Sequence, residues 1–145
     1  MSDTDLEFEI TFTEERAEWT EKVRILSIRM KNIREIPEIQ VELYSGRQTA
    51  LEYAYKLGQI LSKLNAKYRN ERKSKMEYYT TSSNVKYGAN EKTALIEGDL
   101  SDIGRKIDTI DNQMKFMNET IKTIDHFIYG IKARISLETF MRGGE

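Results

Sequence analysis

"IEGDLSDIGRKIDTIDNQMKFMNETIKTIDHFIYGIKARI", Ile96 to Ile135, decides the fold class. Within it Ile96, Leu100, Ile103, Ile107, Ile110, Met114, Met117, Ile121, Ile124, Ile128, Ile131 and Ile135 follow one another at alternating intervals of four and three, with no polar residue in the series. That period holds one apolar stripe along one side of a helix, the coiled-coil pattern. At ~1.5 Å per residue, about 40 residues make a seam on the order of 60 Å long. Gly98, Gly104 and Gly130 each weaken the helix by up to ~1 kcal/mol relative to alanine but leave the pattern intact. Isoleucine at both core positions of the heptad disfavours a simple dimer and points to higher-order association. Two antiparallel helices with a short N-terminal one leave apolar surface on a stripe this long. Ile103, Ile107, Ile110, Met114, Met117, Ile121, Ile124, Ile128, Ile131 and Ile135 are therefore expected to assemble copies of the chain into a homo-oligomer.

Upstream, Ala50, Ala54, Leu57, Leu61, Leu64 and Tyr68 repeat the same spacing. They predict an antiparallel partner helix over about residues 39–79, joined to a heptad helix over about 91–141 by the loop "TTSSNVKYGAN" at 80–90. Proline occurs once, at Pro37, and glycine is sparse, so long helices meet few breakers. Residues 1–36 form a separate N-terminal element ahead of a 37–145 helical hairpin. In it Trp19, Val23, Leu26, Met30 and Ile33 make a helical stripe, with Thr13 as the expected N-cap and Pro37 as the stop near Glu35 or Ile36. Leu6, Phe8, Ile10 and Phe12 alternate with Glu7, Glu9 and Thr11, which reads either as a short strand or as an acidic amphipathic tail. The fold class is all-α, with that one N-terminal strand as an alternative.

The chain has no cysteine, which excludes disulfides and thiolate metal sites. Its N-terminus lacks the apolar core and basic flank of a signal peptide, and no apolar run reaches membrane-spanning length. A soluble, intracellular protein without a membrane partner is expected. The net charge of −1 conceals segregation: residues 1–21 hold eight acids and one base, and residues 56–75 seven bases and one acid. The acidic segment is a candidate competitor for whatever the basic block holds.

His126, the single histidine, has no metal-ligand motif beside it and reads as a solvated or interface residue. Asp99, Asp102, Asp108 and Asp111 form either a solvated acidic face, a cation site or a set of partners for the basic block. Neither a metal, a cofactor nor an enzymatic activity is expected.

In "RNERKSKMEYYTTSSN", residues 69–84, the apolar stripe passes through Arg72, Lys75 and Tyr79. Unpaired charges are not buried in a helical core, so the stripe is expected to leave it here. Arg69, Arg72, Lys73 and Lys75 supply charge for a phosphate backbone, and Tyr78 and Tyr79 supply rings on which bases stack. Lys73 and Lys75 lie about 200° apart on an ideal helix, so both meet one strand only if the helix frays or a neighbouring subunit contributes. The alternative is a solvated helix end whose cations complement the dipole.

"RKSKMEYYT" resembles the corresponding segment of the T4-type phage recombination mediators, the UvsY family: a basic, small, basic triplet, an apolar residue, an acid and two aromatics. "EYAYKLGQILSKLNAKYRNER" is similar to the helix that leads into it, and the stretch from Asp99 through "FMRGG" resembles the family's C-terminal heptad helix. About a hundred residues are covered, with weaker echoes at "EW" (Glu18, Trp19) and "IPEI" (Ile36 to Ile39). The resemblance implies single-stranded DNA binding through Lys73 and Lys75, and a ring-shaped homo-oligomer in the host cytoplasm. It also implies that the ring loosens a phage single-strand-binding protein and helps load a RecA-like recombinase. The rival reading is a coiled-coil assembly protein that binds no nucleic acid.

Overall fold

The computed structural model describes residues 3–143, with side chains from Leu6 onward. The closing Gly144 of the family-like ending lies outside them. Helix α1 runs Asp3–Arg29, a 3-10 turn Ile33–Glu35, and α2 Ile36–Glu77; a π-helical turn Tyr78–Ser82 follows, then α3 Ala89–Asp99 and α4 Ser101–Gly143. The described residues contain no strand.

Helices α2 and α4 form the expected antiparallel hairpin. Arg47 Nε donates to Asp125 Oδ1 at 2.6 Å near one end. Gly58 lies against Met114 in the middle, where a methyl group on the glycine would sit 3.8 Å from Sδ. One core cluster joins Phe12, Ala50, Leu57, Ile110, Met117 and Ile121, and a second joins Leu26, Ile36, Ile39, Leu43, Ile124 and Ile131. Trp19 packs against both. The core is thus a three-helix one, with α1 lying along the hairpin.

The N-terminal segment, read as either a short strand or an acidic amphipathic tail, is helical from Asp3. The alternation at Leu6, Phe8, Ile10 and Phe12 coexists with a heptad step, Phe12 to Trp19 to Leu26, and that step governs. Phe12 and Leu26 are buried, while Leu6, Phe8 and Ile10 remain about half exposed. Thr13 is not an N-cap: it lies inside α1, and its hydroxyl donates to Glu9 O at 2.7 Å. Nor does Pro37 end α1, which stops at Arg29; the proline opens α2, in the first turn, where its missing N–H has no helical acceptor to lose. The turn between α1 and α2 is fixed by charge. Arg29 reaches Glu35 at 3.2 Å and Glu42 at 2.6 Å, and Arg134 Nη1 donates to Met30 O at 2.8 Å, capping an orphan carbonyl beyond the end of α1.

The expected single heptad helix is two helices. Gly98 sits in the last turn of α3, and at Leu100 the backbone leaves helical geometry before α4 begins. Leu100 N still donates to Ile96 O and Gly104 N to Leu100 O, both at 3.0 Å, so the junction is a tight bend. Gly104 and Gly130 do not interrupt α4.

Of the ten predicted assembly residues, Ile110, Met117, Ile121, Ile124 and Ile131 are buried within one chain, Ile103, Ile107, Met114 and Ile128 are half-buried, and Ile135 is exposed. The buried face is wider than the seam because α1 lies beside it, and it takes in Gln113 and Thr120. Gln113, fully buried, accepts from Arg16 Nη1 at 2.7 Å and donates to Glu15 Oε2 at 3.1 Å. The Tyr53 hydroxyl donates to the same Glu15 oxygen, so the buried amide is matched on both its oxygen and its nitrogen.

Candidate nucleic-acid interface

Helix α2 stays regular through Glu77, and its last three turns present two faces. Arg69, Arg72, Lys73 and Met76, spaced by three, four and seven from the first, share the outer face. With Glu77 they line an open groove. All are exposed to solvent. Among the described residues Arg69, Arg72 and Lys73 have no carboxylate within ion-pair distance, although Glu71 is close by, 4.0 Å from Lys67. Tyr78, 52 % exposed, follows at the end of the helix.

The other face continues the stripe past Leu57, the last buried residue of α2. Lys75 and Tyr79 turn toward the returning chain, where Asp99, the last residue of α3, meets both. Lys75 Nζ lies 3.8 Å from Asp99 Oδ2, and the Tyr79 hydroxyl donates to that same oxygen at 2.6 Å. The basic stripe leaves the core here, as its charges require: Arg72 and Lys75 are exposed and Tyr79 is half-buried, and an acid across the hairpin answers the charge of Lys75. Of the three readings of the aspartates, pairing with the basic block holds for Asp99. Asp102 and Asp111 pair instead with Arg105 and Lys115 of their own helix. No acidic, histidine or cysteine cluster with metal-holding geometry exists among the described residues.

Tyr79 is held on three sides. Its ring meets Tyr78 edge-on at 5.1 Å and Tyr87 edge-on at 5.6 Å. The bond to Asp99, followed by partial burial, pushes its phenol up to about 12. The π-helical turn closes with Ser83 N donating to Tyr78 O at 2.9 Å, and Thr81 Oγ1 donates to Glu77 O at 2.7 Å. The Thr81 hydroxyl is thus engaged by the helix end.

The six predicted contact residues therefore fall into two groups. Arg69, Arg72, Lys73 and Tyr78 are open, whereas Lys75 and Tyr79 are engaged by Asp99. Lys73 and Lys75 lie on different faces, as their spacing predicts, and the helix does not fray to bring them together. Tyr87 is part of the aromatic cluster and was not read from the sequence; its position in a loop carries no periodicity to reveal it. The acidic arm does not cover the block: Glu15 is engaged by Tyr53 and Gln113 and Glu21 by Arg24, and no described acid of α1 pairs with residues 69–75. The side chains of Asp3 and Asp5 lie outside the described residues. No described helix is long and apolar enough to cross a membrane.

An all-helical hairpin with uncompensated cations and an exposed ring at one end has the charge and aromatic make-up of a surface that tracks a single nucleic-acid strand. The chain belongs to the UvsY family: the family model described as "Recombination, repair and ssDNA binding protein UvsY" matches residues 18–144. No match was found among curated proteins or among solved structures. The match reaches further toward the N-terminus than the hundred residues expected and begins at Glu18, beside Trp19. Leu6 to Ala17, the part of α1 that carries Phe12, precede it.

Proposed function

We propose that the chain is a non-catalytic recombination mediator that holds single-stranded DNA on the outer face of the last turns of α2. Arg69, Arg72 and Lys73 contact phosphates, and Tyr78 offers a stacking ring worth ~1–3 kcal/mol per base. The observation that carries the reading is that three cations clustered on one face of a helix end have no carboxylate within ion-pair distance among the described residues, in a chain that pairs Arg24, Arg29, Arg47, Arg105 and Lys115. Family membership supplies the strand's identity as single-stranded DNA.

In this reading copies of the chain form a ring in the host cytoplasm. With much of the isoleucine seam inside each chain's own core, one exposed apolar surface open to assembly is the end of α4, with Ile135, Leu137, Phe140 and Met141. A ring multiplies weak sites by avidity. It loosens the phage single-strand-binding protein and favours the strand bound by a RecA-like recombinase, which requires a higher affinity for that state than for the coated one.

The test is fluorescence anisotropy of a labelled oligo-dT at several salt concentrations, with a duplex control, for the unaltered chain and for Arg72→Ala with Lys73→Ala. Single-strand binding is expected to weaken with salt. The double variant should flatten the log–log salt slope by ~1.4, about 0.7 for each lost phosphate contact. Sedimentation should show the assembly unchanged. An unaltered slope with intact assembly, or no binding at low salt, would leave a coiled-coil assembly protein as the better account.

A further inference from the structure

We propose that Asp99 is a built-in competitor for the DNA strand, holding Lys75 and Tyr79 away from it until a phosphate displaces the carboxylate. The inference rests on the single-strand reading above.

Asp99 is the last residue of α3 and stands two residues ahead of the start of α4, between the negative end of one helix dipole and the positive end of the next. Its contacts lie across the hairpin: one oxygen, Oδ2, faces Lys75 Nζ at 3.8 Å and accepts from the Tyr79 hydroxyl at 2.6 Å. Lys75 is thereby the one cation of residues 69–75 paired with an acid from another element. The pair is open to water, Lys75 being 45 % and Asp99 35 % exposed, so an incoming phosphate reaches Lys75 without unfolding the bend.

The exchange is close to balanced. A phosphate diester carries the same single negative charge as the aspartate, and an exposed ion pair of this kind is weak. A strand that crosses the helix at Arg72 gains Lys75 on one side of it, at i,i+3, while Arg69 and Lys73 lie on the other. Tyr79, freed of its acceptor, keeps only its ring contacts with Tyr78 and Tyr87 and becomes available beside Tyr78. The carboxylate thus sets how many cations the strand meets, and it discriminates against any anion too weak to displace it.

The experiment is the oligo-dT titration with full-length Asp99→Asn, which keeps the shape and removes the charge. Affinity should rise about two- to five-fold, the worth of an exposed ion pair, and the salt slope should steepen by about 0.7 per chain. Lys75→Ala should change affinity less than about two-fold in the unaltered chain, while abolishing the gain in the Asp99→Asn background. Asp99→Asn with unaltered affinity and slope would overturn the proposal; if Arg72→Ala with Lys73→Ala still weakens binding, the single-strand reading survives that result. If the unaltered chain binds no DNA at all, both fall. A measurement that needs no variant is amine acylation read by mass spectrometry. Oligo-dT should protect Lys75 together with Lys73, and protection of Lys73 alone would overturn the proposal.

Discussion

Phe12→Ala tests how the N-terminal arm is held. Phe12 is 6 % exposed and belongs to the cluster with Ala50, Leu57, Ile110, Met117 and Ile121, while Leu6, Phe8 and Ile10 around it stay about half exposed. In an interior helix, removing a buried phenylalanine costs about 3–5 kcal/mol, because the cavity it leaves is kept. The arm has another outcome open to it: it undocks, and no cavity is retained. The loss then stops at the burial of the ring itself, about 2–3 kcal/mol. Native-state hydrogen exchange reads this directly, because docking and global unfolding separate by segment. Amides of residues 6–16 should lose protection by about 30- to 150-fold, since each 1.4 kcal/mol is a factor of ten. Amides of α2 and α4 around Leu57 and Met117 should change by far less. An equal loss in all three helices would refute the reasoning, making the arm part of one cooperative core; no loss anywhere would mean that Phe12 is not its anchor.

Two further outcomes follow from the polar contacts. Tyr79 has a folded value of about 12 against an ordinary 10, raised chiefly by its bond to Asp99. A raised value favours the neutral phenol, so this contribution to stability is fully present below pH ~10 and is lost as pH rises through about 12. Ultraviolet titration should find two tyrosines ionising late, Tyr79 and Tyr53, whose phenol is pushed up by burial and by its bond to Glu15; Asp99→Asn should return one of them toward the rest, and two late tyrosines in the variant would mean that Asp99 does not hold the Tyr79 phenol. Gln113→Leu should destabilise the fold by ~1–3 kcal/mol in urea, because Glu15 and Arg16 each lose a partner at a buried site, and a neutral or stabilising change would mean that both find water instead.

The isoleucine seam announced α4 because a 3.5-residue period needs no knowledge of its neighbours. The same period says nothing about how many helices lie against it. The buried face of α4 takes in Gln113 and Thr120 because α1 lies against it beside α2, and a buried amide beside an isoleucine stripe reads as solvated until Glu15 and Arg16 are placed against it. At the N-terminus two periods overlapped on the same residues. The alternation of Leu6 to Phe12 was local and complete, whereas the heptad step through Phe12, Trp19 and Leu26 spans fifteen residues and becomes visible only once α2 and α4 supply the groove. At the basic end, composition marked a stretch but could not assign its residues to faces. Tyr78 and Tyr79 are adjacent and alike, and what distinguishes them is Asp99, twenty residues on from Tyr79 and across a bend.

The two ends of the molecule handle charge in opposite ways. At the α1–α2 turn, Arg29 is drawn in by Glu35, Glu38 and Glu42, and Arg134 closes on a carbonyl of α1, so cations there tie elements together. At the far end of α2, Arg69 faces Arg72 and Lys73 at spacings of three and four, where like charges destabilise a helix by about 0.2–0.5 kcal/mol per pair. The chain contains acids enough to relieve this, and it places one, Asp99, on the neighbouring face. A cost left standing on one face and answered on the next separates the roles of the two faces. On the Asp99 face Lys75 is paired across the hairpin, and on the proposed reading the Arg69 face, unpaired among the described residues, is the first to meet an anion from outside. Supplying that anion should therefore stabilise the end of α2 as well as bind it. Oligo-dT is expected to slow amide exchange in residues 69–77 before it affects any other helix.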